Sequence, residues 1–268
     1  MHTVEQKWQA LLEQLSSMGG VVVAYSGGVD STFLANAAFL SLGDRAVAVT
    51  GVSPTLAVRE LEEAKALASA IGIRHELVST SEWENPDYRN NGPRRCFYCK
   101  GSLFSLLAKK KDKLGLSAVV DGTNVDDLKD TRPGMEAAAQ FDVGHPLLKA
   151  GFTKQDIRQK SKELGLPTWN KGSFACLASR IPKGKRLTLE TIKRVEKAED
   201  VLAALGFVQY RVRDFGNLAK LEVGENEIGR FREEGLRRSV RERLNGLGYR
   251  FIHIDPRGYR DPGIRHLS

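Results

Sequence analysis

The chain has 268 residues, of which 41% are hydrophobic and 28% are charged, and its formal net charge is +8. This length is sufficient for one large or two ordinary domains, and the composition is typical of a soluble globular protein. No apolar stretch approaches the roughly 18 residues of a membrane helix, and the N-terminal residues lack a signal-peptide pattern. We therefore expect a cytoplasmic protein with no membrane partner.

The excess of positive over negative charge is confined to the C-terminal part of the chain. Residues 171–268 contain 21 Lys and Arg against 13 Asp and Glu, whereas residues 1–170 contain 20 of each kind. A basic region of this kind favours a polyanionic partner, either nucleic acid or a small phosphorylated substrate. A merely solvated basic surface is the alternative.

A glycine-rich turn follows the first apolar run of the chain. Residues 21–25 are typical of a buried parallel strand, and a helical pattern begins near Thr32. The six residues between them are Ser26, Gly27, Gly28, Val29, Asp30 and Ser31, and we call this segment the phosphate loop. Its glycines allow a nest of N–H groups, and the helix N-terminus behind it favours an anion. The pattern predicts a phosphate site, with an ordinary capped turn as the alternative.

The phosphate loop is neither a Walker A motif nor a G-x-G-x-x-G dinucleotide fingerprint, because neither pattern occurs in the chain. It resembles the pyrophosphatase loop of the ATP pyrophosphatases, which cleave ATP between its α and β phosphates. That resemblance implies that the hydroxyls of Ser26 and Ser31 help to hold pyrophosphate, while Asp30 orients Mg²⁺. ATP and Mg²⁺ are therefore expected, and Lys100 is a further candidate for the ATP phosphates unless it is simply solvated.

Strand and helix patterns alternate over residues 1–170, which predicts a domain of the α/β class with a doubly wound parallel sheet. The resemblance of the phosphate loop implies that this domain binds ATP. After the first strand, strands are predicted at 46–50, 75–79 and 118–121, and helices at 56–71, 102–113 and 153–164. The polar stretch 81–95 is expected to be a mobile surface insertion. Residues 122–124 follow a strand, so we expect Thr123 to help form the nucleotide pocket.

A smaller α+β domain is predicted for residues 171–268, which would bind substrate and form the oligomer contacts. An aperiodic segment, 169–184, leads into it. Helices are predicted at 188–205 and at 225–247 with a break at Gly235, and strands at 208–213, 218–223 and 251–254.

The chain has three cysteines, so a disulfide framework is not expected. Cys96 and Cys99 form a C-x-x-C pair, and Cys176 lies in the aperiodic segment. A structural zinc site would need His75 or His145 as its fourth ligand. A [4Fe–4S] cluster held by three thiolates would leave one iron without a protein ligand. A redox-active pair and inert buried thiols are two further interpretations, and the polar loops predicted around all three cysteines disfavour burial.

Six segments together resemble the larE family, and the resemblance covers nearly the whole chain. They are Asn85-Pro86, Arg95 to Lys100, Asp121 to Asp127, Arg132 to Gly134, Gly151 to Lys154 and Ala175 to Pro182. The family consists of ATP-dependent sulfur transferases that act on pyridinium-3,5-biscarboxylic acid mononucleotide during assembly of the nickel-pincer cofactor of lactate racemase. The resemblance implies that a substrate carboxylate attacks the α-phosphate, pyrophosphate leaves, and sulfur captures the acyl adenylate as a thiocarboxylate.

The cysteines distinguish this chain from the best-known branch of the family. In that branch a single cysteine, which matches Cys176, donates its sulfur and becomes dehydroalanine. This chain has Cys96 and Cys99 in addition. We expect the three thiolates to hold a [4Fe–4S] cluster whose remaining iron carries hydrosulfide, so that the enzyme turns over repeatedly.

The substrate that the resemblance implies carries a phosphate and two carboxylates, so it requires fixed cations. Arg180, Arg211 and Arg213 are the candidates, because a guanidinium group binds phosphate through two parallel hydrogen bonds. Glu199 and Glu222 match positions near the substrate site of the family. Arg211 and Arg213 are equally compatible with a solvated strand face paired with Glu222.

A tRNA thiolase of the same superfamily is the alternative function, since it would also use ATP, three cysteines and a basic surface. The lack of a separate RNA-binding module favours the small nucleotide substrate, so nucleic acid is not the expected partner. The resemblance also implies a homo-oligomer, a hexamer built from trimers.

Overall fold

Parallel strands build the sheet of the N-terminal part of the chain in the computed structural model, which describes residues 2–129, 133–172 and 176–259. In this described part the strands are β1 (Val21–Ala24), β2 (Ala46–Val52), β3 (Arg74–Ser79) and β4 (Ala118–Val120). Their order is β3-β2-β1-β4, and every neighbouring pair is parallel. Because helices follow the strands, this order confirms the predicted doubly wound α/β class.

Helices cover both faces of this sheet. They are α1 (Val4–Met18), α2 (Val29–Leu42), α3 (Val58–Ile71), α4 (Pro86–Arg89), α5 (Arg95–Leu114), α6 (Pro133–Gln140), α7 (Pro146–Lys149) and α8 (Lys154–Glu163). Val21 and Val23 pack into the core that includes α1 and α2, whereas Val22 and Ala24 pack into the core that includes α5 and α6. All of β1 is buried, which explains why its sequence is uniformly apolar.

The chain divides into two compact units. The first comprises the described residues of 1–88 and 93–171, and the second comprises those of 89–92 and 172–268. The second unit has the strands β5 (Tyr210–Asp214), β6 (Leu218–Val223) and β7 (Phe251–Ile254), in that order, with β5 and β6 antiparallel and β6 and β7 parallel. Its helices are α9 (Leu189–Ala204) and α10 (Glu234–Gly246). This small mixed sheet with helices confirms the expected α+β class.

Three expectations about individual segments are corrected. Helix α5 begins at Arg95, so Cys96 and Cys99 lie in its first turns and not in a loop. Tyr88 and Asn91 are almost completely buried, so the stretch 81–95 is not simply a surface insertion. The helical stretch near residue 235 breaks at Glu233, because residues 225–232 form a 3₁₀ turn.

Helix α1 has no counterpart in the sequence prediction, although Thr3 and Gln6 form a capping box at its start. Arg132 and Ala175, which belong to segments of the resemblance, lie outside the described residues. None of the described helices is long and apolar enough to cross a bilayer.

A buried asparagine organises the second unit. The side-chain amide of Asn91 donates to the carbonyl oxygens of Ile181, Pro182 and Lys185, at 3.3, 2.9 and 3.2 Å. Its backbone has φ 55°, a left-handed conformation that asparagine adopts more readily than most residues. Asn91 thus ties residues 89–92 to the segment that follows Arg180.

We expect Asn91→Ala to lower the free energy of unfolding by about 1–3 kcal/mol, because buried carbonyl oxygens lose their donor. Asn91→Gly removes the same amide but tolerates the positive φ, so it should destabilise less. The neighbouring Asn90 is exposed, and Asn90→Ala serves as the control. Thermal unfolding midpoints of the three variants check this prediction, which fails if Asn91→Ala and Asn90→Ala unfold at the same temperature.

Candidate functional site

An open cavity lies at the carboxyl ends of β1 and β4, within the first unit. The residues predicted to bind nucleotide that line it are Ser26, Gly28, Asp30, Ser31, Lys100 and Thr123. Gly27 is the one predicted nucleotide ligand that does not line the cavity. The lining also includes Asp121, Gly122 and Asp127. Ligands bind at such a point in open parallel sheets because the loops after neighbouring strands separate there.

The phosphate loop is held by hydrogen bonds between its own ends. The hydroxyl oxygens of Ser26 and Ser31 lie 3.1 Å apart, and the Ser26 N–H donates to Ser31 Oγ at 3.2 Å. Gly28 is the N-cap of α2 and makes no side-chain capping bond. The N–H groups of the first helical turn therefore keep their capacity to bind an anion in the cavity.

Two glycines permit close backbone packing at the cavity. Gly27 has φ +69°, and a Cβ there would lie 2.9 Å from the Ala64 Cβ. A Cβ on Gly122 would lie 3.0 Å from the Ser31 backbone nitrogen. Both positions therefore require glycine, and the loop after β4 touches the start of α2 directly.

Asp30 is a partly buried carboxylate, of which one oxygen is hydrogen-bonded and the other is not within the described part of the chain. Lys154 Nζ, at the start of α8, donates to Asp30 Oδ2 at 2.6 Å. Asp30 Oδ1 is buried and has no hydrogen-bond partner among the described residues. Burial raises the pKa of Asp30, although the charge of Lys154 opposes this. A buried oxygen without a donor, in a carboxylate that lines the cavity, fits a ligand of Mg²⁺.

Asp121 and His145 form a second charged pair at the cavity. His145 Nδ1 lies 2.7 Å from Asp121 Oδ1, and the pairing of Gly144 alongside β4 places the imidazole there. The hydrogen bond to Asp121 raises the pKa of His145, against the effect of burial. Burial alone would raise the pKa of Asp121, but His145 and Lys100 lower it overall. His145 is thus engaged with a carboxylate through Nδ1.

The C-x-x-C pair lies on the same helix as Lys100. Cys96 and Cys99 are three residues apart in α5, so their side chains share one helix face. Cys96 and Cys176 are exposed, Cys99 is partly buried, and none of these described cysteines is in a disulfide. The described residues contain no group of three or more His, Cys, Asp or Glu side chains arranged to hold a metal ion. The first unit thus has two cysteine thiols on one helix face, and Cys176 belongs to the second unit.

The five residues predicted to bind substrate form one connected network in the second unit. Arg180 donates to both carboxylate oxygens of Glu199, at 2.7 and 3.2 Å. Arg211 and Glu222 face each other across β5 and β6, and Arg213 donates to Glu222. Arg180 also donates to the carbonyl oxygen of Cys176, at 3.4 Å. The network therefore lies beside Cys176.

Within this network, the positive charge of Arg211 is only partly balanced by a nearby carboxylate. It is 2% exposed, its Nε has no hydrogen-bond partner in the described structure, and its closest carboxylate oxygen, on Glu222, is 3.9 Å away. Burial, together with Arg180 and Arg213, lowers the pKa of Arg211. The pairing with Glu222 that the strand pattern suggested is therefore present, but Arg211 is not solvated. A bound anion would compensate the excess of three arginines over two glutamates.

Comparison with known proteins identifies the family of this chain. No family model matches the chain. It is 41% identical to an uncharacterised Synechocystis protein, slr1717, over 98% of both chains. It is 34% identical to the pyridinium-3,5-bisthiocarboxylic acid mononucleotide synthase of Lactiplantibacillus plantarum, over 97% of this chain and 94% of that enzyme.

The chain belongs to the larE family. A more distant relative is the tRNA-specific 2-thiouridylase MnmA of Halothermothrix orenii, which is 28% identical over 58% of this chain and 54% of its own. This match does not extend over the whole chain.

Two residues, one at the candidate site of each unit, were not singled out from the sequence. Lys154 belongs to a segment of the resemblance, but nothing local indicated its contact with Asp30. Tyr259, whose hydroxyl accepts from Arg211 Nη2 at 3.0 Å, had no local signal at all. Both contacts join residues 48 or more positions apart, so only the folded chain reveals them.

We expect Gly27→Ala to destabilise the protein by about 1–2 kcal/mol from the left-handed backbone alone, with a further cost from overlap with Ala64. Gly28→Ala is the matched control, since Gly28 has φ −78° and its Cβ would meet only Ser26 Oγ, at 3.4 Å. Thermal unfolding of both variants without ligand checks the prediction. Equal midpoints for the two variants would contradict it.

The pair of His145 and Asp121 predicts a pH dependence of stability. The pKa of His145 is raised in the folded protein, so the pair stabilises the fold fully below about pH 6.5. This stabilisation is lost as the pH rises through the pKa of His145 in the folded state. In His145→Gln, the free energy of unfolding measured between pH 6 and 9 should not show this decrease. His253→Gln, at an exposed position on β7, is the control and should retain the wild-type pH dependence.

Proposed function

We propose that this protein is an ATP-dependent sulfur transferase that converts the carboxylates of pyridinium-3,5-biscarboxylic acid mononucleotide into thiocarboxylates. The full-length similarity to a synthase of the bisthiocarboxylic acid nucleotide is the observation that carries the proposal. Two features of the structure support it, namely a cavity lined by the phosphate loop in the first unit and an arginine network beside Cys176 in the second.

The cavity of the first unit suits cleavage of ATP between the α and β phosphates. The first-turn N–H groups of α2 and the hydroxyls of Ser26 and Ser31 would hold the departing pyrophosphate. Asp30 would present its buried Oδ1 to Mg²⁺, and Lys154 would fix the orientation of that carboxylate. Magnesium would supply neutralisation of the phosphate charge. AMP then becomes the leaving group of an activated carboxylate.

The arginine network of the second unit suits the substrate phosphate. Arg211 is already buried, so binding of a phosphate there requires little further desolvation of the guanidinium group. Glu199 accepts from Arg180 and from the Val212 N–H, at 3.1 Å, and thereby holds Arg180 in position. Arg211 and Arg213 extend from alternate positions of β5, so both reach the same side of the sheet.

We further propose that Cys96, Cys99 and Cys176 are the ligands of a [4Fe–4S] cluster. The shared helix face of Cys96 and Cys99 and the exposure of Cys176 support this assignment. Such a cluster would supply an iron without a protein ligand, which can bind sulfide. Cys176 as a sacrificed sulfur donor is the competing assignment, and a homo-oligomer is the assembly we propose by similarity to the family.

One reaction mixture tests the function and the sulfur source together. The protein, reconstituted anaerobically with iron and sulfide, is incubated with ³²P-labelled ATP, Mg²⁺ and the pyridinium dicarboxylate nucleotide. We expect AMP, pyrophosphate and a thiocarboxylate product, a broad visible absorption band from the cluster, and an unchanged intact mass of the protein. Cys96→Ala should abolish that band.

The contrary outcomes of this experiment are distinct. Formation of ADP and orthophosphate would overturn the proposed function, and thiolation of tRNA with no action on the dicarboxylate would replace it by the tRNA thiolase. Loss of the mass of H₂S from Cys176, with activity in Cys96→Ala, would overturn the cluster proposal and leave the sulfur transferase in place.

A further inference from the structure

The phosphate loop and the residue before it rest on α3, whose contacting residue Ala64 does not line the cavity. The Tyr25 hydroxyl, at the end of β1, donates to the Ala64 carbonyl oxygen at 3.2 Å. Gly27 packs so closely on Ala64 that the helix would meet any Cβ at that position. Helix α3 therefore supports the phosphate loop from behind, and a change in their separation would move the loop.

Lys171 connects the loop to this supporting helix. It is the last residue of the first unit, and its ammonium group is largely buried. Lys171 Nζ lies 3.0 Å from a carboxylate oxygen of Glu60 and 3.0 Å from one of Glu63, both on α3. It also donates to the Gly27 carbonyl oxygen at 3.4 Å. An ammonium group has three N–H donors, so one lysine can serve all three acceptors at once.

The bond to Gly27 constrains a neighbouring donor. The Gly27 carbonyl and the Gly28 N–H belong to the same planar trans peptide, so they point in opposite directions. A carbonyl directed toward Lys171 therefore directs the Gly28 N–H toward the cavity side. There the N–H now donates weakly to Ser26 Oγ, at 3.4 Å, and both residues line the cavity.

A peptide between two glycines needs such a constraint. Glycine populates positive and negative φ about equally, so the Gly27–Gly28 peptide can rotate at little conformational cost. Rotation would present a carbonyl oxygen to the phosphate in place of an N–H group. The positive charge of Lys171 favours the orientation in which the carbonyl faces away from the cavity, because that oxygen carries the negative end of the peptide dipole.

Helix α8 fixes the position of this lysine. Arg158 donates to the carbonyl oxygens of Trp169 and Lys171, at 2.7 and 2.9 Å. Lys154, one turn earlier on the same helix, contacts Asp30 in the cavity. Lys154 and Arg158 are four positions apart on α8 and so lie on one helix face. Lys154 holds the carboxylate proposed for Mg²⁺, and Arg158 holds the backbone of Lys171.

We propose that Lys171 is a positioning residue for pyrophosphate binding, which sets the orientation of the Gly27–Gly28 peptide so that the Gly28 N–H faces the phosphate. This inference rests on the proposed nucleotide site and assigns a role to a residue that does not line it. Lys171 acts through the loop backbone and does not touch the nucleotide.

Binding measurements on Lys171→Met test the proposal, with pyrophosphate, ATP and adenosine titrated separately by calorimetry in the presence of Mg²⁺. We expect affinity for pyrophosphate and ATP to fall about tenfold, the value of one charge-assisted hydrogen bond, while affinity for adenosine is unchanged. Lys171→Arg should recover part of the loss. Lys149→Met, at an exposed position on α7, is the control and should bind all three ligands as the wild type does.

A second variant keeps the test decisive if Lys171→Met does not fold. Glu60→Gln leaves the lysine in place but removes one charge that holds it, so we expect a smaller loss of pyrophosphate affinity in the same direction. The proposal is overturned if both variants bind pyrophosphate with wild-type affinity. If Lys171→Met does not fold, wild-type affinity in Glu60→Gln alone overturns it. An equal loss of affinity for adenosine would also overturn it. A wild-type protein that binds ATP but transfers no sulfur would overturn the proposed function only.

Discussion

The close approach of two loops at the carboxyl ends of β1 and β4 is the constraint on which the nucleotide site depends. Because these strands are neighbours in the parallel sheet, the phosphate loop and the residues after β4 emerge side by side. Gly122 lies against the backbone of Ser31 with no room for a Cβ. This contact brings Asp121 to the cavity that Asp30 lines, although the two residues are far apart in the sequence. The sheet order therefore determines which side chains share the site.

In each unit, a charged side chain of the candidate site lacks a hydrogen-bond partner for one of its buried atoms within the described ranges. Asp30 keeps one oxygen without a donor, and Arg211 keeps one nitrogen without an acceptor, among the described residues. Burying a charge costs free energy that an incomplete ion pair does not recover. The opposite signs of these two groups match the ligands proposed for them, a divalent cation in the first unit and a phosphate in the second. At each site, the proposed ligand would lower an existing electrostatic cost.

The sequence reasoning succeeded where a local pattern encodes the structure. The uniformly apolar run before Ser26 and the alternation of strands and helices predicted the parallel sheet, because a buried parallel strand needs apolar residues on both faces. It failed where an amphipathic pattern is weak or interrupted. Cys96 and Cys99 were expected in a loop, since polar and charged residues around them hid the start of α5. The burial of Asn91 was also missed, because its three acceptors lie some 90 positions later in the chain.

The phosphate site proposed at the phosphate loop is predicted from its residues alone, because two glycines and the hydroxyls beside them suit a turn that binds an anion. The same is true of the sheet class, which follows from the period of the apolar residues. The hydrogen-bond partners of Asp30, Gly27 and Arg211 cannot be predicted from the local sequence. Lys154, Lys171 and Tyr259 reach them from distant positions, and packing of helices and strands alone brings such groups within hydrogen-bond distance.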